Sequence, residues 1–148
     1  MRESTELVVA FMDACGIELV PEYNSWPAFL KKVSEGRSQL FRIAWVGDYP
    51  DAENFLQLFY GPNASPGPNR CNYVNPEYDD LFRRAMAAPT EKERLGLYRE
   101  MQRILKDDCP WIFVSYSVSA ALVGPRVSGY RAHDFPYGME KHLRLRGR

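Results

Sequence analysis

The sequence predicts an α/β domain, a mixed sheet flanked by helices. Short aromatic and β-branched runs at 40–46 and 111–116 have strand character. Apolar residues between and around them repeat at helical spacing, and clusters of Pro, Gly, Asn and Asp separate one run from the next. A chain of 148 residues is long enough for one compact domain and too short for two of ordinary size. One domain, or one piece of a larger one, is expected.

The first helix is expected over Thr5 to Cys15, where Leu7, Ala10, Phe11 and Ala14 share a face and Gly16 ends it. Ile17 and Leu19 alternate with Glu18 and Glu22 toward Tyr23, the pattern of an edge strand that also tolerates Pro21. Asn24 or Ser25 can cap a second helix that has Pro27 in its first turn, a stripe of Phe29, Leu30 and Val33, and Gly36 at its end. The central strand, Leu40 to Val46, then gives way to the turn residues Gly47, Asp48, Pro50 and Asp51.

A short helix over Glu53 to Tyr60 follows, with Phe55, Leu56 and Phe59 in phase, and then a Pro- and Gly-rich surface loop from Gly61 to Cys71 whose length suits a functional or mobile segment. Asn75-Pro76-Glu77-Tyr78-Asp79 has the marks of a helix start: a capping Asn, Pro at the first position and acids in the first turn. Tyr78, Leu81, Phe82 and Ala85 form its buried face. Thr90 to Glu93 is a capping box for the next helix, which carries Leu95, Tyr98, Met101, Ile104 and Leu105 and ends at Asp107, Asp108 and Pro110. Two helices joined by a short turn are expected to form a hairpin.

Trp111 to Tyr116 is read as a strand beside the central one, with Ala120 to Val123 as a further segment and turns at Gly124-Pro125 and Ser128-Gly129. Leu143 and Leu145 alternate with arginines, so the tail can pair as a strand, although nothing in the sequence marks its partner.

Acidic and basic residues balance at 19 each, which supplies no field for nucleic acid or an anionic membrane. No apolar run is long enough to cross a bilayer. The start of the chain lacks the features of a secretory signal, so a cytosolic protein or a fragment is expected. Cys15, Cys71 and Cys109 have no metal-ligand spacing and leave one disulfide open.

Catalytic signatures are sparse. His133 and His142 lie in the weakly patterned tail, no Ser or Cys sits in a nucleophile elbow, and there is no phosphate-cradling loop. Asp48, Asp51 and Glu53 form the one acidic cluster at a strand end, which can act as paired carboxylates or hold a hard cation; turn-making through their own backbones is the simpler role. Trp45 and Asp48 are three residues apart at that end. An aromatic face and a carboxylate so placed can hold an ammonium group, by cation–π attraction and a charge-assisted hydrogen bond. Arg42, in the same strand, can neutralise a carboxylate.

Five stretches, in order, carry a resemblance. Trp45-Val46-Gly47-Asp48-Tyr49-Pro50-Asp51 with Asn54-Phe55-Leu56 is the first, and Asn75 to Leu81 the second. Glu93-Arg94 with Leu97-Tyr98, then Ile104 to Pro110, then Val127-Ser128-Gly129-Tyr130 complete the set. Together they resemble the carboxyl-terminal region of the extracellular solute-binding proteins of the peptide/nickel ABC-transporter type, which include the oligopeptide- and dipeptide-binding proteins. Cys71 and the loop around it follow no pattern of that family.

Members of the family are longer and have two lobes that close over a ligand. The resemblance therefore implies a partial periplasmic-binding-protein-like lobe over 1–123 and, over 124–148, a tail that crosses back to the other lobe. It implies a non-enzymatic binder of short peptides or another small solute, without a cofactor or metal, peripheral to the membrane at most. The parent would be periplasmic or on the cell surface and would deliver its ligand to an ABC permease. By resemblance, Asp48 receives the ligand's α-amino group, Trp45 lines the pocket, and Arg42 meets the ligand's carboxylate. The alternative reading of the residues is a small hydrolase or metal-binding domain using Asp48, Asp51 and Glu53. Apolar surface left by the missing part is expected to favour dimerisation.

Overall fold

The structure, a computed structural model, describes residues 2–133 and 138–147; residues 134–137 of the tail and both terminal residues lie outside the description. The chain divides into two compact units, Met1–Gln39 and Leu40–Arg148.

In the first unit, α1 spans Arg2–Ala14 and α2 spans Trp26–Ser34. The helical periodicity is realised in both, but Leu7 and Phe11 on α1 are 54% and 63% exposed, so the face expected to be buried is open. Ile17 to Tyr23 is not a strand. Ser25 takes the capping position of α2 without a side-chain capping bond, Val33 is buried, and Trp26 stacks on Phe29 at 5.5 Å between ring centres. Gly36 follows with φ +67°, a left-handed conformation that a side chain disfavours.

The second unit is built on α4 (Pro76–Ala87) and α5 (Glu91–Asp108), with the short α3 (Glu53–Leu56) and a 3-10 turn, Gln57–Phe59, packed against them. The caps read from the sequence are in place. The Asn75 side chain accepts from the amides of Glu77 and Tyr78 at 3.0 and 3.2 Å, and Thr90 Oγ1 accepts from the Glu93 amide at 3.3 Å. Tyr78, Leu81, Phe82 and Ala85 face Tyr98, Met101 and Leu105 in one core with Leu56, Leu58 and Phe59. The Tyr78 hydroxyl donates to the Leu56 carbonyl at 2.7 Å, so the core satisfies its own buried polar group. Burial also pushes the Tyr78 phenol's pKa upward.

The loop after Tyr60 is pinned from within. Asn69 is fully buried; its Nδ2 donates to the carbonyls of Tyr60 and Tyr73 at 3.1 and 2.9 Å, and its Oδ1 accepts from the Tyr73 amide at 3.2 Å. Asp79, expected only to favour the dipole of α4, also accepts from the Gly61 amide at 2.8 Å. A Cβ on Gly61 would come within 2.6 Å of that carboxylate, so a larger residue here would have to push the Asp79 side chain off its bond to the amide.

The expected strands differ. Among the described residues the sheet consists of β1 (Val127–Ser128) and β2 (Arg144–Leu145), antiparallel, with Val127 opposite Leu145 and Ser128 opposite Arg144. The tail thus finds a partner in a segment read as a turn. Neither 40–46 nor 111–116 nor 120–123 is in a strand. Strand propensity marks residues that suit a pleated surface, whereas a strand exists only when a neighbour takes up its backbone donors and acceptors. Ile112, Val114, Tyr116 and Val118 alternate with other side chains in strand fashion and are from 67% to 96% exposed.

Because the Asn75 amide group caps α4 and also donates from Nδ2 to Asp108 at 2.8 Å, Asn75→Ala is expected to lower stability by about 1 kcal/mol. Urea unfolding measures this, and an unchanged midpoint would show that the cap contributes nothing.

Candidate functional site

The turn expected to carry chemistry lies between the irregular segment 40–46 and α3. Trp45 is 39% exposed and Asp48 is exposed. Behind them Asn54, at the second position of α3, is fully buried. Its Oδ1 accepts from Trp45 Nε1 at 2.8 Å and from the Asp48 amide at 3.1 Å, and its Nδ2 donates to Asp48 Oδ2 at 3.3 Å. The indole and the carboxylate are therefore neighbours in space, joined through one side chain. Arg42 is exposed on the approach to Trp45.

Asp51 fastens the turn to α5. Its Oδ2 pairs with Arg94 at 2.7 Å, while its Oδ1 accepts from the Tyr98 hydroxyl at 3.1 Å and the Glu53 amide at 2.9 Å. Burial alone would raise the carboxyl's pKa, but the bonds from Glu53 and Tyr98 and the Arg94 charge outweigh it and hold the group below its usual range. The same contact appears from the other side: burial and the bond to Asp51 push the Tyr98 phenol up to about 12.

The three carboxylates of the acidic cluster thus have separate partners. Asp48 is held by Asn54, Asp51 by Arg94 and Tyr98, and Glu53 by the Tyr49 hydroxyl, whose pKa that bond raises. Among the described residues no group of three His, Cys, Asp or Glu side chains is placed to hold a metal ion. A cavity of about 240 Å³ lies at the corner between α4 and α5, lined by Met86, Pro89, Thr90 and Arg94 among others, and does not include Trp45 or Asp48. The Trp45–Asp48 pair presents an open surface.

Sequence reasoning singled out Trp45 and Asp48 and missed the buried amide between them. Asn54 stood in the sequence as a member of the first stretch of resemblance, three residues after Asp51, with no role assigned to it.

No family model matches the chain. A heme-binding protein A of Haemophilus influenzae is 32% identical over 92% of this chain and 25% of its own length. Di/tripeptide-binding protein 2 of Pseudomonas aeruginosa is 29% identical over 88% of this chain and 26% of its own length. Among solved structures, an ABC transporter-associated periplasmic binding protein, DppA from Helicobacter pylori in complex with the peptide STSA, superposes with a TM-score of 0.80 over 97% of this chain and 28% of its own, at 25% identity. The chain is a homologue of the dipeptide- and oligopeptide-binding proteins. It spans about a quarter of the length of the curated relatives it matches. The likeness bears out the α/β lobe of the periplasmic-binding-protein kind, although among the described residues the sheet is one two-stranded ribbon.

Asp51→Asn removes an anion whose folded-state pKa is depressed. Such a group contributes stability above its unfolded pKa and loses it as pH falls through the lower folded value. The variant is expected to be less stable at neutral pH by on the order of 1 kcal/mol, since Arg94 stays about a third exposed and solvent screens the pair. The difference should shrink as pH falls below about 4. Thermal melts of both proteins across that range measure it; a constant difference would mean that Asp51 acts through packing rather than charge.

Proposed function

We propose that the chain forms part of one lobe of a substrate-binding protein that carries short peptides to an ABC permease in the periplasm or at the cell surface. Residues 1–123 belong to the ligand-binding lobe, and 124–148 to a tail that crosses toward the rest of the parent. Asp48 receives the peptide's α-ammonium, Trp45 lines the same pocket and Arg42 meets the peptide's carboxylate. The protein binds and releases, without catalysis or a cofactor.

The observation that carries this reading is the shared support of Trp45 and Asp48. An indole and a carboxylate bonded to one buried amide form a fixed pair suited to a cationic amine. The homologues give it context, since the related structure holds a peptide. Separate engagement of the acidic cluster offers nothing similar to a hydrolase.

Magnitudes explain why such a site needs a second wall. Two unit charges 4 Å apart attract by about 1 kcal/mol in bulk water and by about 4 at an effective dielectric constant of 20. An exposed Asp48 binds an ammonium weakly by itself; a lobe closing over it would exclude water and raise the attraction. Main-chain hydrogen bonds to an extended peptide would then add affinity with little side-chain preference.

In the full-length protein, Asp48→Asn is expected to weaken binding of peptides with a free amino terminus at least tenfold and to leave N-acetylated peptides nearly unaffected, by calorimetry. Equal loss for both would refute the assignment. Binding of heme with none of peptides would move the ligand class to that of the Haemophilus relative. The 148-residue chain alone is expected to bind peptides weakly and, through Ile112, Val114, Tyr116 and Val118, to self-associate. A monomeric scattering profile would count against those side chains meeting a missing part of the lobe.

A further inference from the structure

Asn54 differs from every other group at the site: it is polar and fully buried, yet it faces two exposed residues. A buried amide is costly unless its hydrogen bonds are made. Of its four bonding positions, both acceptor positions on Oδ1 and one hydrogen of Nδ2 are spent on Trp45 and Asp48. Those bonds reach one side chain through its ring nitrogen and the other through both its backbone amide and its carboxylate. One amide thereby sets the backbone of the turn, the plane of the indole and the orientation of the carboxylate.

We propose that Asn54 is the positioning residue of the amine site, and that discrimination in favour of a free ammonium depends on it although it does not touch the ligand. The inference rests on the reading of Asp48 and Trp45 given above. With Oδ2 of Asp48 bonded to Nδ2 and the residue exposed, the Oδ1 atom, which makes no hydrogen bond to a described residue, is left to receive a ligand. An exposed aspartate without this bond samples several rotamers, and fixing one of them on binding costs affinity. A primary amide supplies the acceptor for the indole and the donor for the carboxylate from two separate atoms, Oδ1 and Nδ2. Aspartate keeps the acceptor and lacks the donor, leucine keeps the volume and lacks both, and glutamine carries one methylene too many for a fully buried position.

The test uses the full-length protein with tri-alanine and N-acetyl-tri-alanine, titrated by calorimetry, and the Trp45 indole N–H resonance in a proton–nitrogen correlation spectrum. Asn54→Leu is expected to lower the free-to-acetylated affinity ratio about tenfold and to shift the indole resonance toward that of a water-exposed tryptophan. Asn54→Asp, which keeps the acceptor, should leave that resonance close to its original position. Asn54→Ala repeats the ratio measurement should the leucine variant fold poorly, and because the readout is a ratio, a smaller folded fraction does not imitate the effect. An unchanged ratio in both the leucine and alanine variants, or an indole resonance that stays put in them, overturns the proposal. If Asp48→Asn collapses the ratio while these variants do not, this inference alone fails; if Asp48→Asn also leaves it unchanged, the amine-site reading fails with it.

Discussion

The link from Asp51 to Arg94 and Tyr98 is the constraint on which the second unit's arrangement depends. The segment before the turn is not part of a sheet, so no ladder holds the turn in place. Its position comes from α5 instead, through an ion pair, a phenolic hydrogen bond and the start of α3 on the same carboxylate. Helix α5 is fixed in turn by the core it shares with α4, where Tyr98 and Met101 lie against Tyr78 and Leu81. Tyr78 closes the circuit by donating to the carbonyl of Leu56 at the end of α3. Directional bonds fasten both ends of α3 and the apolar core joins α4 to α5, so α3 is held from both ends.

The energetic sign of that link is decided by several partners. Partial burial of Asp51 works against ionisation, and an isolated carboxylate there would rise in pKa. Arg94, Tyr98 and the Glu53 amide reverse the direction. An arrangement of this kind is sensitive to loss of one member, because the remaining charge stays partly desolvated without compensation. Asp108 provides a surface counterpart: hydrogen bonds from the Tyr73 hydroxyl and Asn75 hold its carboxyl below the usual range.

What could be read from the sequence divides along a physical line. Helices are local: Asn75 and Thr90 mark their starts, the 3.6-residue repeat marks their faces, and Tyr78, Leu81, Phe82 and Ala85 are buried as their spacing demands. Burial is not local, and Leu7 and Phe11 show it, since α1 forms while its apolar face stays uncovered. Strands are least local. The run at 111–116 has the composition of a strand without a neighbour here, whereas Arg144–Leu145, a weaker pattern, finds one in Val127–Ser128. A two-residue ladder is too short for any periodicity to announce it.

The site follows the same division. Trp45 and Asp48 were legible because their chemistry is carried by residue type and a spacing of three. Asp51 was legible as a turn residue and a cluster member, but one of its partners, Tyr98, lies 47 residues further on, beyond the reach of any local pattern. Asn54 entered only as part of the first stretch of resemblance: a neutral amide on a short helix has no periodic or charge signature, and its role arises only once the three bonds it makes to Trp45 and Asp48 are assigned.

That assignment bears on the kind of function the turn can perform. A group that reacts must change protonation or form bonds, and its neighbours have to accommodate the change. Here the exposed carboxylate of Asp48 is braced by a neutral amide, and the carboxylate of Asp51 is turned inward and already paired with Arg94. Charge at the surface and support beneath it are separated between different residues. On the proposed reading, this division suits recognition of a fixed positive charge, with strength supplied by the exclusion of water rather than by rearrangement of the turn.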